Sequence, residues 1–203
     1  SEGMDSGEAF AIAAGAWLNL GDPDKALELL AQGLEQYPRS VDLSVLDAQR
    51  SFDRQDLGAA RATIEEALAA QGDHVEALRL SGRLELRERS LDAAATQFDK
   101  VLQIVPWDLP AHLAMAAIER DRGETEKAQE WIARAGEVAP GNPVSAYFAA
   151  EMAFEAGDIR VAQEWLNEIG REDADFPALW LLRGRVSAQQ GNPKTAMTEL
   201  ERY

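Results

Sequence analysis

Small and large apolar residues stand in fixed columns along this chain. Ala26, Ala60, Ala94, Ala128, Ala162 and Ala196 recur every 34 residues. Twelve positions before each stands a tiny residue, in turn Ala14, Ala48, Gly82, Ala116, Ala150 and Gly184. Four positions after each stands a large apolar one, Leu30, Ile64, Phe98, Ile132, Leu166 and Leu200. Twelve positions after the alanine come Pro38, Gly72, Pro106, Pro140 and Ala174, four of the five being helix breakers. Residues four apart share a helix face, and tiny residues on two helices let their backbones approach closely. Each period therefore predicts an antiparallel helical hairpin closed by proline or glycine.

Polar positions support the same elements. Between the two helices of each hairpin stand Asp22, Asp56, Ser90, Glu124, Asp158 and Asn192. Five of these six are side-chain types that cap a helix by accepting its free N–H groups. Pro23 and Pro193 fit the first helical position, where a missing N–H costs nothing. The stretch GDPDKALELL from Gly21 thus returns as GETEKAQEWI, GDIRVAQEWL and GNPKTAMTEL for architectural reasons.

The 34-residue period, the small-residue pair, the large apolar residue and the terminal proline resemble the tetratricopeptide repeat, W-x2-L-G-x2-Y, then A-x3-F, then P. Trp180 and Gly184 match its first part, and Gly82, Ala94, Phe98 and Pro106 follow it through one repeat. The usual tyrosine position departs, holding Trp17, Ser51, Glu85, Glu119, Ala153 and Ser187. The resemblance implies an all-α, right-handed superhelical solenoid of antiparallel helix pairs, about twelve helices in one domain over 7–203. Its repeats are 7–40, 41–74, 75–108, 109–142, 143–176 and an incomplete 177–203, with 1–6 as linker or added sequence. Terminal repeats of such arrays need a polar cap. Met197, Leu200 and Tyr203 would otherwise present apolar surface, so we expect a fragment of a larger protein, or an end that packs on a second copy.

Charge narrows the partners. The chain has 36 acidic and 20 basic residues, a net charge of −16. That balance disfavours nucleic acid and anionic membranes and leaves protein as the expected partner. It also suits the RNA-reading pentatricopeptide relatives badly. There are no cysteines, which fits a bacterial cytoplasm or periplasm equally. No apolar run is long enough to span a bilayer. The expected product is soluble, with a membrane-tethered parent left open.

Catalytic chemistry finds no foothold. The two histidines, His74 at the entrance of a first helix and His112 four positions into another, lie in different phases of the repeat. Neither pairs with a nucleophile or forms a metal-ligand spacing, and His112 is expected to be a packed helix residue. We expect no cofactor, no metal and no enzyme activity.

In the family that the chain resembles, the first helices line a concave groove that holds a peptide, using roughly the second, fifth, sixth, ninth and twelfth repeat positions. The resemblance assigns Gln49, Phe52, Arg79, Arg83, Leu86, Leu113, Arg120, Tyr147, Glu151, Phe154 and Arg185 as candidate binding residues. Arg79, Arg83 and Arg87 stand at i, i+4 and i+8, where like charges repel by some tenths of a kcal/mol per pair. Two readings follow. Glu76, Glu85 and other nearby acids neutralise the row, or the row receives a partner's carboxylate, with Arg120 one repeat on and Tyr147 and Phe154 as an apolar wall. The adaptors that grip acidic C-termini of heat-shock chaperones place Lys then Asn at the fifth and ninth positions, and no pair here reproduces that clamp.

Tryptophan supplies a second set. Trp131 and Trp165 are 34 apart, followed by Gly136 and Gly170 where earlier repeats carry Leu34, Leu68 and Leu102. Losing that leucine should shorten or loosen the second helix, with the indoles filling space or forming a convex partner patch. Trp107 is expected to be a lid over a hairpin junction. The function expected is a protein-binding scaffold. The alternatives are a self-assembling module joined through its uncapped end or the tryptophan ridge, a homo-oligomer, and the regulatory arm of an enzyme.

Overall fold

Six Schellman turns close the first helices of six hairpins. In the computed structural model, which describes residues 6–170 and 176–203, Gly21, Gln55, Arg89, Gly123, Gly157 and Gly191 all have positive φ, between 63° and 81°. The N–H of the next residue then reaches back to the carbonyl of Trp17, Ser51, Glu85, Glu119, Ala153 or Ser187 at 2.8–3.0 Å. This six-to-one bond satisfies a carbonyl that the helix end would leave bare. Four of the six positions are glycine, the residue that takes this conformation without steric cost.

The described residues form twelve α-helices and no strand. They fall into two compact units divided after Pro106. The first holds α1 (Ser6–Asn19), α2 (Pro23–Gln36), α3 (Val41–Asp53), α4 (Leu57–Ala70), α5 (Val75–Arg87) and α6 (Leu91–Ile104). The second holds α7 (Leu109–Asp121), α8 (Thr125–Val138), α9 (Pro143–Glu155), α10 (Ile159–Glu168), α11 (Pro177–Gln189) and α12 (Pro193–Leu200). In each unit consecutive helices pair as α1/α2, α3/α4 and so on. Helices α2, α4, α6 and α8 stop two residues before Pro38, Gly72, Pro106 and Pro140. Ala174, like residues 1–5, lies outside the described residues.

Both small-residue columns are buried in all six hairpins. The large apolar column is buried in five, and Leu200 is 43% exposed. Ring and glycine are matched in the third hairpin. A Cβ on Gly82 would lie 2.7 Å from Phe98 Cε2, so the largest side chain of its column faces a residue with none. The second helices are capped less uniformly than their sequence suggests. Asp22, Asp56 and Asp158 accept from the N–H of Lys25, Ala59 and Val161, whereas Ser90 and Asn192 make no side-chain cap bond. First helices carry caps too: His74, Asp108 and Asn142 accept from Ala77, Ala111 and Ser145.

Gly170 follows a short α10 of 10 residues, while α8 keeps 14 residues through Gly136. The expected shortening occurs in one of the two repeats. Trp131 packs edge-on against the buried His112 at 5.6 Å, under Arg134. Trp165 is more open and lines a small cavity beside Gly136 and Gly141. Trp107 is 69% exposed, too open to serve as the expected lid.

Candidate functional site

Within the first unit, the helices α1, α3 and α5 bound a cavity of about 290 Å³. Ile12, Val45, Leu46 and Leu80 supply its apolar lining, and Asp42, Gln49, His74 and Glu76 its polar edge. Ile12 is 57% exposed, an unusual position for a large apolar side chain. Its repeat position, the sixth, is one the resemblance names, so the missed residue had a legible signal. His74 is fixed at the edge: Nδ1 accepts from Ala77 N–H, so Nε2 carries the proton that it donates to Asp42 at 3.1 Å. A second hollow of about 290 Å³ lies between α2 and α3, lined by Leu18, Leu27 and Leu30.

The arginine row of α5 divides into two kinds. Arg79 is paired with Glu76 of its own helix. Arg83 instead donates to the neutral Gln49 Oε1 at 2.7 Å, with its guanidinium carbon 4.5 Å from the Phe52 ring centroid. Arg87 reaches the same ring at 5.6 Å. Such cation–π contacts stabilise by about 0.5–1 kcal/mol at exposed sites. Among the described residues, Arg83 and Arg87 have no carboxylate in ion-pair reach. Glu85, expected to neutralise the row, faces the other way. It takes Arg61 of α4 at 2.7 Å, and Glu88 takes the same guanidinium at 3.0 Å. These two acceptors, Glu85 first, hold Arg61 above its ordinary basicity.

Phe52 is buried beneath Arg83 and belongs to the core with Val45, Ala48 and Leu80, so it supports the site from below. Leu86 is half-buried. In the second unit Leu113 is likewise a core residue, packed with Ala116, Ile132 and Met152, and offers no open surface.

Two other candidates of the second unit, Arg120 and Tyr147, converge on the carboxylate of a third, Glu151. Arg120 donates to Glu151 Oε2 at 3.1 Å, and the Tyr147 hydroxyl donates to Oε1 at 2.8 Å. Asp121 and Glu155 also face Arg120, at 3.3 and 4.0 Å, so its charge is fully matched inside the unit. The Tyr147 ring meets Phe148 and Phe176 edge-on at 5.6 and 5.2 Å. Burial, then the bond to Glu151, pushes the Tyr147 phenol well above its ordinary range. One turn on, Arg185 lies over Phe154 with the guanidinium carbon 4.5 Å from the ring centroid.

No group of three metal-ligand side chains occurs among the described residues, and no described helix is long and apolar enough to cross a membrane.

Tetratricopeptide repeat models match residues 7–32, 45–107 and 85–152. "Cellulose synthase 2 operon protein C" of Komagataeibacter xylinus is 28% identical over 108 residues, which is 53% of this chain and 8% of that protein. The chain therefore spans a small part of this curated relative's length. Among solved structures, Pseudomonas aeruginosa pilF aligns with a TM-score of 0.76 at 16% identity, covering 95% of this chain and 88% of that one. PilW, a type IV pilus biogenesis factor, aligns with a TM-score of 0.81 at 18% identity, covering 97% and 91%. At these identities the structural likeness establishes the fold.

Proposed function

The chain belongs to the tetratricopeptide repeat family, and from that premise we propose that it is a non-catalytic scaffold whose first unit holds a partner's protein segment against α1, α3 and α5. The scaffold role rests on the family's general part in protein–protein interaction. Binding at this face rests on one observation: an apolar cavity with exposed Ile12 sits on the same first-helix face as Arg83, a cation with no carboxylate in ion-pair reach among the described residues. Burying apolar side chains there provides the non-directional part of binding, about 25 cal/mol per Å² removed from water. The arginine provides direction and charge selection. The segment that fits is apolar and acidic, bound as an extended or helical peptide.

The relatives named above include a pilus biogenesis factor and a cellulose synthase operon protein. We place this chain in a comparable bacterial assembly, facing the periplasm, as a piece of a larger protein. The test is fluorescence anisotropy with a labelled, end-blocked hexapeptide alternating leucine and glutamate. Ile12→Glu and Arg83→Glu should each weaken binding about tenfold, a loss of about 1.4 kcal/mol. Unchanged affinity in both variants contradicts the proposal.

A further inference from the structure

A phenylalanine–arginine pair recurs across the two units, beside a third position that is glutamine in one and glutamate in the other. Gln49, Phe52 and Arg83 of the first unit stand three repeats from Glu151, Phe154 and Arg185 of the second, at identical repeat positions. In both sets the arginine lies over the phenylalanine at 4.5 Å. Both arginines are exposed, and both are without a carboxylate in ion-pair reach among the described residues. The chain carries 36 acidic residues, and Arg50, Arg61, Arg79, Arg120, Arg122 and Arg160 all take one.

The unmatched state has a different local cause in each unit. In the first, the side chain bonded to the arginine is the neutral Gln49, which uses one N–H and leaves the charge uncompensated. In the second, an acid does stand at the equivalent position. Glu151 is already held on both oxygens, by Arg120 at 3.1 Å and by the Tyr147 hydroxyl at 2.8 Å. Arg120 and Tyr147 thus keep Glu151 occupied, and Arg185 stays on its ring. A guanidinium confined by an aromatic surface loses less freedom on binding than one on a mobile stem, and its remaining donors suit the two oxygens of a carboxylate.

We infer that Arg83 on Phe52 and Arg185 on Phe154 are two equivalent receptors for acidic side chains, one in each unit, so that the chain takes two acidic protein segments or two acidic stretches of one partner. This rests on the proposed function for the first unit and extends it to the second. Two weak sites joined in one chain gain effective concentration toward a partner that presents both acids.

The experiment follows the arginine Nε–Hε signals of the whole chain by NMR during titration with the blocked Leu/Glu hexapeptide, with its Leu/Gln counterpart as control. Signals of Arg83 and Arg185 should both move with the glutamate peptide and stay still with the glutamine peptide. Arg185→Gln should lower affinity about tenfold at the second site and less than about twofold at the first. Arg83→Gln should do the reverse. If Arg83 responds and Arg185 does not, the second receptor is refuted and the proposed function survives. Equal response to both peptides refutes carboxylate recognition at both sites. If neither arginine signal nor the Ile12 methyl responds, the proposed function fails as well.

Discussion

The ring of Phe98 occupies the space that a side chain on Gly82 would need, with Cε2 2.7 Å from where a Cβ would stand. Four of the other hairpins put alanine at this place opposite isoleucine or leucine, as in Ala48 with Ile64 and Ala150 with Leu166, while the sixth sets Gly184 against Leu200. Alanine is favoured over glycine inside a helix by about 1 kcal/mol. Overpacking a filled core costs about 1–3 kcal/mol. Gly82→Ala should therefore destabilise the protein in urea unfolding. In a Phe98→Leu background the same change should stabilise it, with a coupling of about 1–2 kcal/mol between the two sites.

Gln55 and Arg89 hold the left-handed turn at φ of 65° and 63°, where the other four hairpins have glycine. A side chain in this region costs about 1–2 kcal/mol, partly offset by the greater unfolded-state entropy of glycine. Gln55→Gly and Arg89→Gly should each raise stability by about 0.5–1 kcal/mol, read as a higher urea midpoint at unchanged slope. The reverse change, Gly123→Gln, should lower it by a similar amount.

Tyr147 gives the protein an alkaline limb. Its phenol is held above the ordinary tyrosine value of about 10 by burial and by donation to Glu151. An acid raised on folding contributes stability that is complete below its unfolded pKa and is lost as pH climbs above it, here beyond about pH 10. Ultraviolet titration should show one of the three tyrosines ionising late, and Tyr147→Phe should remove that step and flatten the alkaline loss of stability.

The repeat columns made the hairpins legible because contact residues such as Ala26 and Leu30 recur at spacings that only a helix face explains. The Schellman turns were half hidden. Glycine marks four of them, but Gln55 and Arg89 carry no turn signal, and the fold imposes the conformation on them. Caps on first helices were also hidden, because His74 is an uncommon cap and acts through Nδ1. At the site, repeat position indicated which residues share the first-helix face. It could not tell that Phe52 and Leu113 would be covered by neighbouring helices, or that Glu85 would turn to Arg61, since both depend on packing between repeats.

The central claim is that a partner segment lies over the cavity bounded by α1, α3 and α5. Methyl NMR of the whole chain during titration with the leucine/glutamate hexapeptide tests it most directly. The account predicts shifts at the Ile12, Leu46 and Leu80 methyl groups, with Met197 unmoved. Shifts confined to Met197 and Leu200, with Ile12 and Leu80 unmoved, would contradict it.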